Sequence, residues 1–164
     1  MQIRAACPDN APALAAIYAP EVLHGTASFE TEAPDATMMA ARLAAVQGRG
    51  WPWLVAVQGG EVIGYAYASQ FRDRPAYAGT CENSIYVAAA ARGRGAGRAL
   101  LTALFEAARA AGFVQMVAVV GDAAGNQASL ALHTGLGFGE VGRLTAVGRK
   151  FGRWLDVAYL QRAL

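Results

Sequence analysis

A chain of 164 residues, 55% of them hydrophobic, has enough apolar material for one core and one domain spanning residues 1–164, and is too apolar for a disordered tail. Only 16% of residues are charged and the net charge is +2, with the arginines dispersed save for one short run, which argues against a nucleic-acid partner. The N-terminus has no basic stretch followed by an apolar run, and no segment reaches the ~20 apolar residues of a membrane span, so a cytoplasmic protein that does not engage a membrane is expected.

In chain order, Ile3–Ala6 reads as a short strand. Pro8-Asp9-Asn10 supplies turn and cap chemistry for a helix with Leu14, Ile17 and Tyr18 on its apolar side, closed by Pro20. A polar loop from His24 to Glu32 follows, then a helix begun by Pro34-Asp35, running through Met38, Met39, Leu43 and Val46 and stopped by Gly48 and Gly50. Trp53–Val57 and Val62–Ala68 flank Gln58-Gly59-Gly60-Glu61 and predict an antiparallel hairpin. A third strand is expected from Thr80 to Val87, with Glu82, Ser84 and Tyr86 on one face and Asn83, Ile85 and Val87 on the other.

The most periodic helix carries Leu100, Leu101, Leu104, Phe105 and Ala108 on one stripe and ends at Ala111-Gly112. Val114–Val120 is a continuous apolar strand, expected to be buried on both faces, and Asn126–Leu136 a further helix. Two closing strands, one through Val147 and one from Trp154 to Leu160, bracket a turn read as Gly148–Arg153. The whole is a mixed α/β layer fold. Cys7 and Cys81 form no CxxC pair, and His24 and His133 are the only histidines, so neither a disulfide framework nor a metal site is indicated. Cys81 lies next to Glu82, but a free cysteine in an apolar strand is read first as a buried hydrophobe.

Arg92-Gly93-Arg94-Gly95-Ala96-Gly97-Arg98 sits where a strand gives way to the long helix. Unpaired amides and the positive end of the helix dipole meet there, glycines let an anion approach the backbone, and the arginines add charged donors. The spacing is neither a P-loop nor a dinucleotide fingerprint, which would need Gly where Arg98 stands. It does fit Arg92-x-x-Gly95-x-Gly97, which resembles the pyrophosphate-binding turn of the GNAT superfamily of acetyl-CoA-dependent acetyltransferases. The order of elements, with Asn126-x-x-Ser129 opening a helix that leads to Gly137-Phe138, is similar to that superfamily along essentially the full length.

Several segments narrow the resemblance to the phosphinothricin and methionine sulfoximine N-acetyltransferases: Thr26–Glu32, Trp53–Ala56, Gly64–Ala68, Cys81–Val87, Leu132-His133-x-x-Leu136-Gly137-Phe138 and Gly148-x-Lys150–Val157. Cys81-Glu82-Asn83 departs from the expected pattern, in which a branched aliphatic precedes the acid. The resemblance implies a GNAT-type mixed, mostly antiparallel central sheet flanked by helices, acetyl-CoA as co-substrate, no metal, a small amino-acid-like amine as acceptor, and a homodimer.

It also implies site residues. Glu82 takes the proton that an α-ammonium must lose before it can attack a thioester. The strand around Ile85, Tyr86 and Val87 pairs with the pantetheine amides, while Arg92, Gly93, Arg94, Gly95, Ala96, Gly97 and Arg98 hold the diphosphate, with Asn126 and Ser129 beside them. Many superfamily members place a tyrosine seven residues after that asparagine to protonate the leaving thiolate; here the position is His133. On the substrate side Arg72 and Arg74 are candidates for an anionic group, with Lys150 and Arg153 from the late turn, and Phe29, Tyr77 and Trp154 as walls. Competing readings are acetylation of peptide N-termini, polyamines or aminoglycosides, a non-catalytic acyl-CoA sensor, and a nucleic-acid module using the arginine run.

Overall fold

The computed structural model describes residues 1–164. Its elements run β1 (Gln2–Ala5), α1 (Ala11–Leu23), α2 (Ala36–Gln47), β2 (Trp53–Gln58), β3 (Glu61–Gln70), β4 (Thr80–Val87), α3 (Ala96–Ala110), β5 (Gln115–Gly121), α4 (Gln127–Thr134), β6 (Gly139–Lys150) and β7 (Arg153–Ala163). The seven strands form one sheet in the order β1-β2-β3-β4-β5-β7-β6. All neighbours are antiparallel except β4 and β5, which are parallel and are joined by the crossover helix α3.

Alternation along the strands feeds two cores, one on each face. Trp53, Val55 and Tyr65 turn toward α1 and α2 and pack on Leu14, Ile17, Tyr18, Val22, Met39 and Leu43. Ala56, Ala66, Ala68, Cys81, Met116 and Ala118 turn the other way, against Leu100, Leu101, Leu104 and Phe105 of α3. Leu100 is fully buried, so truncating it to alanine would cost about 2–5 kcal/mol. Small residues on the sheet let α3 come close: a Cβ on Gly64 would meet Leu100 at 3.2 Å and the carbonyl of Tyr86 at 3.0 Å. Cys81 is wholly buried and its thiol is pushed up to about 12 by that burial, as the hydrophobe reading requires.

Several local details differ from expectation. Pro20 lies inside α1, which continues to Leu23. A proline near a helix end forfeits one hydrogen bond, and the buried Val22, together with the bond from His24 N to Pro20 O at 2.9 Å, holds the last turn in place. Asp35 caps α2 as foreseen, accepting from Met38 N at 2.8 Å, but Asn10 makes no side-chain cap on α1; its Oδ1 instead accepts from Arg4 and the Cys7 amide. Val114 is exposed and precedes β5, donating to Gly79 O. The closing turn is only Phe151-Gly152, with φ of 49° and 74°, so Gly148, Arg149, Lys150 and Arg153 belong to the strands. β6 is the edge strand and leaves Val141, Leu144 and Val147 exposed, beside Phe151 and Trp154.

Candidate active site

β4 and β5 are registered only from Thr80–Asn83 against Gln115–Ala118. Beyond that point they part, while β4 stays paired with β3 as far as Val87. A gap therefore opens inside the sheet, and along Ser84–Val87 the edge of β4 that faces it has no strand partner. A cavity lies on each side of it, of about 470 Å³ and about 450 Å³, and Ala27, Ile85, Tyr86, Asn126 and Ser129 line both. Two compartments joined through a split sheet can hold two reactants that must meet at one point.

The second cavity is made largely of backbone. Its wall is Ile85-Tyr86-Val87 and the turn at Arg92, Gly93, Gly95, Ala96, Gly97 and Arg98, with Asn126 and Ser129 opposite. Gly93 and Gly95 have φ of +73° and +83°, a region that side chains with a Cβ disfavour, so glycine at these two positions is a conformational requirement. The first bond of α3 runs from Ala99 N to Gly95 O, leaving the amides of Ala96, Gly97 and Arg98 without helical partners. Arg94 is exposed and stands outside the lining. Arg92 donates to Val87 O at 3.1 Å and pairs with Glu21, and Arg98 donates to Gly135 O at 3.2 Å, so both are braced beside the turn. This is a concave anion cradle continuous with a free strand edge, and it fits a diphosphate followed by an extended amide chain.

The first cavity is made of side chains. Glu82 is half-buried in its wall, and desolvation raises its carboxyl above the usual range while the nearby Arg72 charge pulls the other way. A carboxylate so placed is a better base than an exposed one. Tyr18, Tyr67 and Tyr86 also line the cavity; burial holds all three phenols above their ordinary value, so they stay protonated. Tyr18 and Tyr86 meet edge to face at 4.7 Å. The Tyr18 hydroxyl bonds Ser28 Oγ at 2.6 Å and donates to Glu30 at 2.9 Å, and Arg42 clasps the Glu30 carboxylate with two bonds that hold it below the usual range.

His133 is buried at the floor. Its Nε2 faces Asn83 Oδ1 at 3.1 Å, while Asn83 Nδ2 donates to Val117 O at 3.1 Å. Both ring nitrogens of His133 thus face oxygen atoms, Asn83 Oδ1 at Nε2 and the Ser129 carbonyl at Nδ1, and a neutral ring donates to one of them at a time. Nδ1 lies 2.8 Å from the Ser129 carbonyl and 3.4 Å from its hydroxyl. Burial pulls the imidazole below its ordinary value, opposed by the Ser129 carbonyl.

The expected cationic pocket is not in the lining, which contains no lysine or arginine. Lys150 is buried and donates to Ser28 O at 2.7 Å and Glu21 O at 3.4 Å, so it is a strut beneath the loop between α1 and α2. Lys150 ends β6 and does not belong to the turn. Arg153 is largely exposed, 3.8 Å from Asp122, and Trp154 is exposed with Arg149 over its ring. Arg72, Arg74 and Tyr77 occupy the exposed segment between β3 and β4, with Arg72 over the Phe71 ring. Of the expected substrate residues only Phe29 and Glu82 line the cavity. Tyr18, Ser28, Glu30, Tyr67 and Asn83 were not among the expected site residues, although four of them fall within or beside segments that carried the resemblance; Tyr18 had no signal beyond its apolar helical face.

The acetyltransferase (GNAT) family profile matches residues 15–138. The phosphinothricin N-acetyltransferase of Alcaligenes faecalis is 48% identical over 99% of this chain and 82% of its own. The L-methionine sulfoximine/L-methionine sulfone acetyltransferase of Pseudomonas paraeruginosa is 42% identical over 97% of this chain and 92% of its own. Among solved structures, a GNAT phosphinothricin acetyltransferase from Sinorhizobium meliloti in complex with acetyl-CoA superposes with a TM-score of 0.95 at 45% identity, covering 99% of this chain and 88% of that one. The mixed sheet, the split between β4 and β5 and the glycine turn agree with that kinship: the chain belongs to the GNAT acetyltransferase family and is an acetyl-CoA-dependent N-acetyltransferase.

Proposed function

We propose that the protein acetylates the α-amine of a small amino-acid-like molecule of the phosphinothricin, methionine sulfoximine and methionine sulfone type. The observation that carries this reading is the pair of cavities meeting at the β4–β5 gap, one a backbone cradle for an anion and the other a small chamber with Glu82 in its wall. Acetyl-CoA, when bound, supplies a thioester carbonyl as acceptor. Glu82 accepts a proton from the substrate ammonium, directly or through water, which frees the nitrogen lone pair for attack. The free edge at Ser84–Val87 aligns the acyl donor, and an amide there polarises the carbonyl. His133, tied to Asn83 and Ser129, orients the reacting groups from the floor or gives a proton to the departing thiolate. Arg72, on the exposed segment that leads into β4, meets the substrate's anionic end from outside the cavity lining.

The enzyme acts in the cytoplasm, where its two free cysteines stay reduced, and no helix is long and apolar enough to cross a membrane. It pairs as a homodimer through the β6–β7 hairpin, whose Val141, Leu144, Val147 and Trp154 stand exposed together on a sheet edge; sedimentation at micromolar concentration checks this, and a monomer would refute it. The substrate is tested by acetyl-CoA turnover across methionine sulfoximine, methionine sulfone, phosphinothricin and a peptide panel. Turnover of the amino acids is expected; turnover of peptides alone would assign the cavity to chain N-termini.

A further inference from the structure

The loop between α1 and α2 supplies Ala27, Ser28, Phe29 and Glu30 to the amine cavity, and its backbone is fixed around Phe29. Thr26 donates to Asp122, Lys150 donates to the Ser28 carbonyl at 2.7 Å, and Glu30 is held by Tyr18 and Arg42. The ring itself sits in a slot between two glycines. A Cβ built on Gly121, at the end of β5, would come 2.9 Å from Phe29 Cε1. One built on Gly148, in β6, would come 2.1 Å from Cε2, 2.6 Å from Cδ2 and 2.8 Å from Cζ. Carbon atoms prefer about 3.5–4.0 Å, so no side chain fits at 148 with the ring in place.

The direction in which the ring would yield follows from what surrounds it. Gly121 closes the side opposite Gly148, and the pinned backbone leaves only side-chain rotation. Phe29 is exposed and lines the cavity, so the open space into which its ring can turn includes the cavity and its mouth. Either motion shortens the space open to a substrate side chain.

We propose that Gly148 is a specificity-determining position: by lacking a side chain it keeps Phe29 seated in the slot, and so sets the length of amine substrate that the cavity accepts. The residue touches no reactant and acts through Phe29. The proposal rests on the assignment of this cavity to the amine.

The test compares Gly148→Ala, Phe29→Ala and the double variant against amino acids of increasing side-chain length, from alanine to methionine sulfone, with acetyl-CoA KM measured in parallel. Gly148→Ala is expected to lose roughly tenfold or more in kcat/KM for methionine sulfone, the size of effect that one methylene makes in a pocket, mainly through KM and with less loss for alanine. Acetyl-CoA KM stays within about twofold, and the double variant matches Phe29→Ala within about twofold because the clash has gone. An unchanged length preference in Gly148→Ala overturns the proposal, as does a full multiplicative penalty in the double variant. Should Gly148→Ala fail to fold, a double variant that folds and melts with Phe29→Ala supports the slot, and one that also fails to fold refutes it. Wild-type enzyme that acetylates no amino acid overturns the substrate reading together with this one; intact turnover with no change in length preference overturns this one alone.

Discussion

The two cavities that meet at the split in the sheet are built from different material. The cavity proposed for acetyl-CoA is mostly main chain: a strand edge, two glycines with positive φ and the free amides that open α3. The cavity proposed for the amine is lined by side chains from residues as far apart as Tyr18 and Val157. A backbone site tolerates variation in most side chains but is sensitive at its glycines. A side-chain site can be retuned one residue at a time, which is how relatives with one cofactor can come to differ in acceptor.

The largest effect that would break this contrast is at Glu82. Glu82→Gln is expected to lower kcat/KM by about 10²–10⁴-fold while calorimetry finds acetyl-CoA affinity unchanged. Desolvation raises the Glu82 carboxyl above its ordinary 4.5, and only the ionised form accepts a proton, so wild-type kcat/KM climbs with pH through a limb lying above that value. The residual activity of the variant should lack that limb; its persistence would assign the base elsewhere.

Gly95→Ala attacks the other side. Forcing a Cβ into a left-handed conformation costs about 1–2 kcal/mol, enough to raise acetyl-CoA KM about tenfold, with the amine KM unmoved. A rise in both constants would mean that the two compartments are not separable. Lys150→Met sharpens the comparison more gently: it leaves the Ser28 carbonyl unpaired under the loop, costing about 1–3 kcal/mol of stability, visible as a lower Tm, and raising the amine KM alone.

The smallest expected effect is a pH slope in stability. His133 has a folded pKa below its ordinary 6.5, so the unfolded chain binds a proton more readily; the associated stability is present above 6.5 and is lost as pH falls from there through the lowered folded value. Melting curves of wild type and His133→Phe should converge in slope above 6.5 and diverge below it.

What was legible in the sequence follows the same division. The glycine turn, the hairpin of β2 and β3, the whole of β4 and the stripe of α3 leave local imprints, because backbone conformation and burial period restrict residue types over a few positions. Glu82 could be placed on the correct face by alternation alone. The amine cavity has no such imprint. Lys150 read as a cation for the substrate's anionic group, reaching in from a turn, and only the two-residue reversal at Phe151-Gly152 puts it in a strand whose end is roofed by Ser28. The bond between Asn83 and His133 spans fifty positions, and no periodicity announces it. Pro20 stops helices on average, yet here the burial of Val22 outweighs one missing amide.

The parting of β4 from β5 has a further consequence for solubility. A bare run of strand amides is ordinarily an invitation to other chains, and proteins blunt such edges with charge, proline or a covering element. At Ser84–Val87 the bare edge faces inward, with β5 diverging across the gap and α3 tying the two strands together. A foreign polypeptide strand with side chains on both faces would have to push past that neighbour, whereas a slim linear amide can slip in. The protein thus keeps half a ladder vacant for its reaction without offering a seed for aggregation.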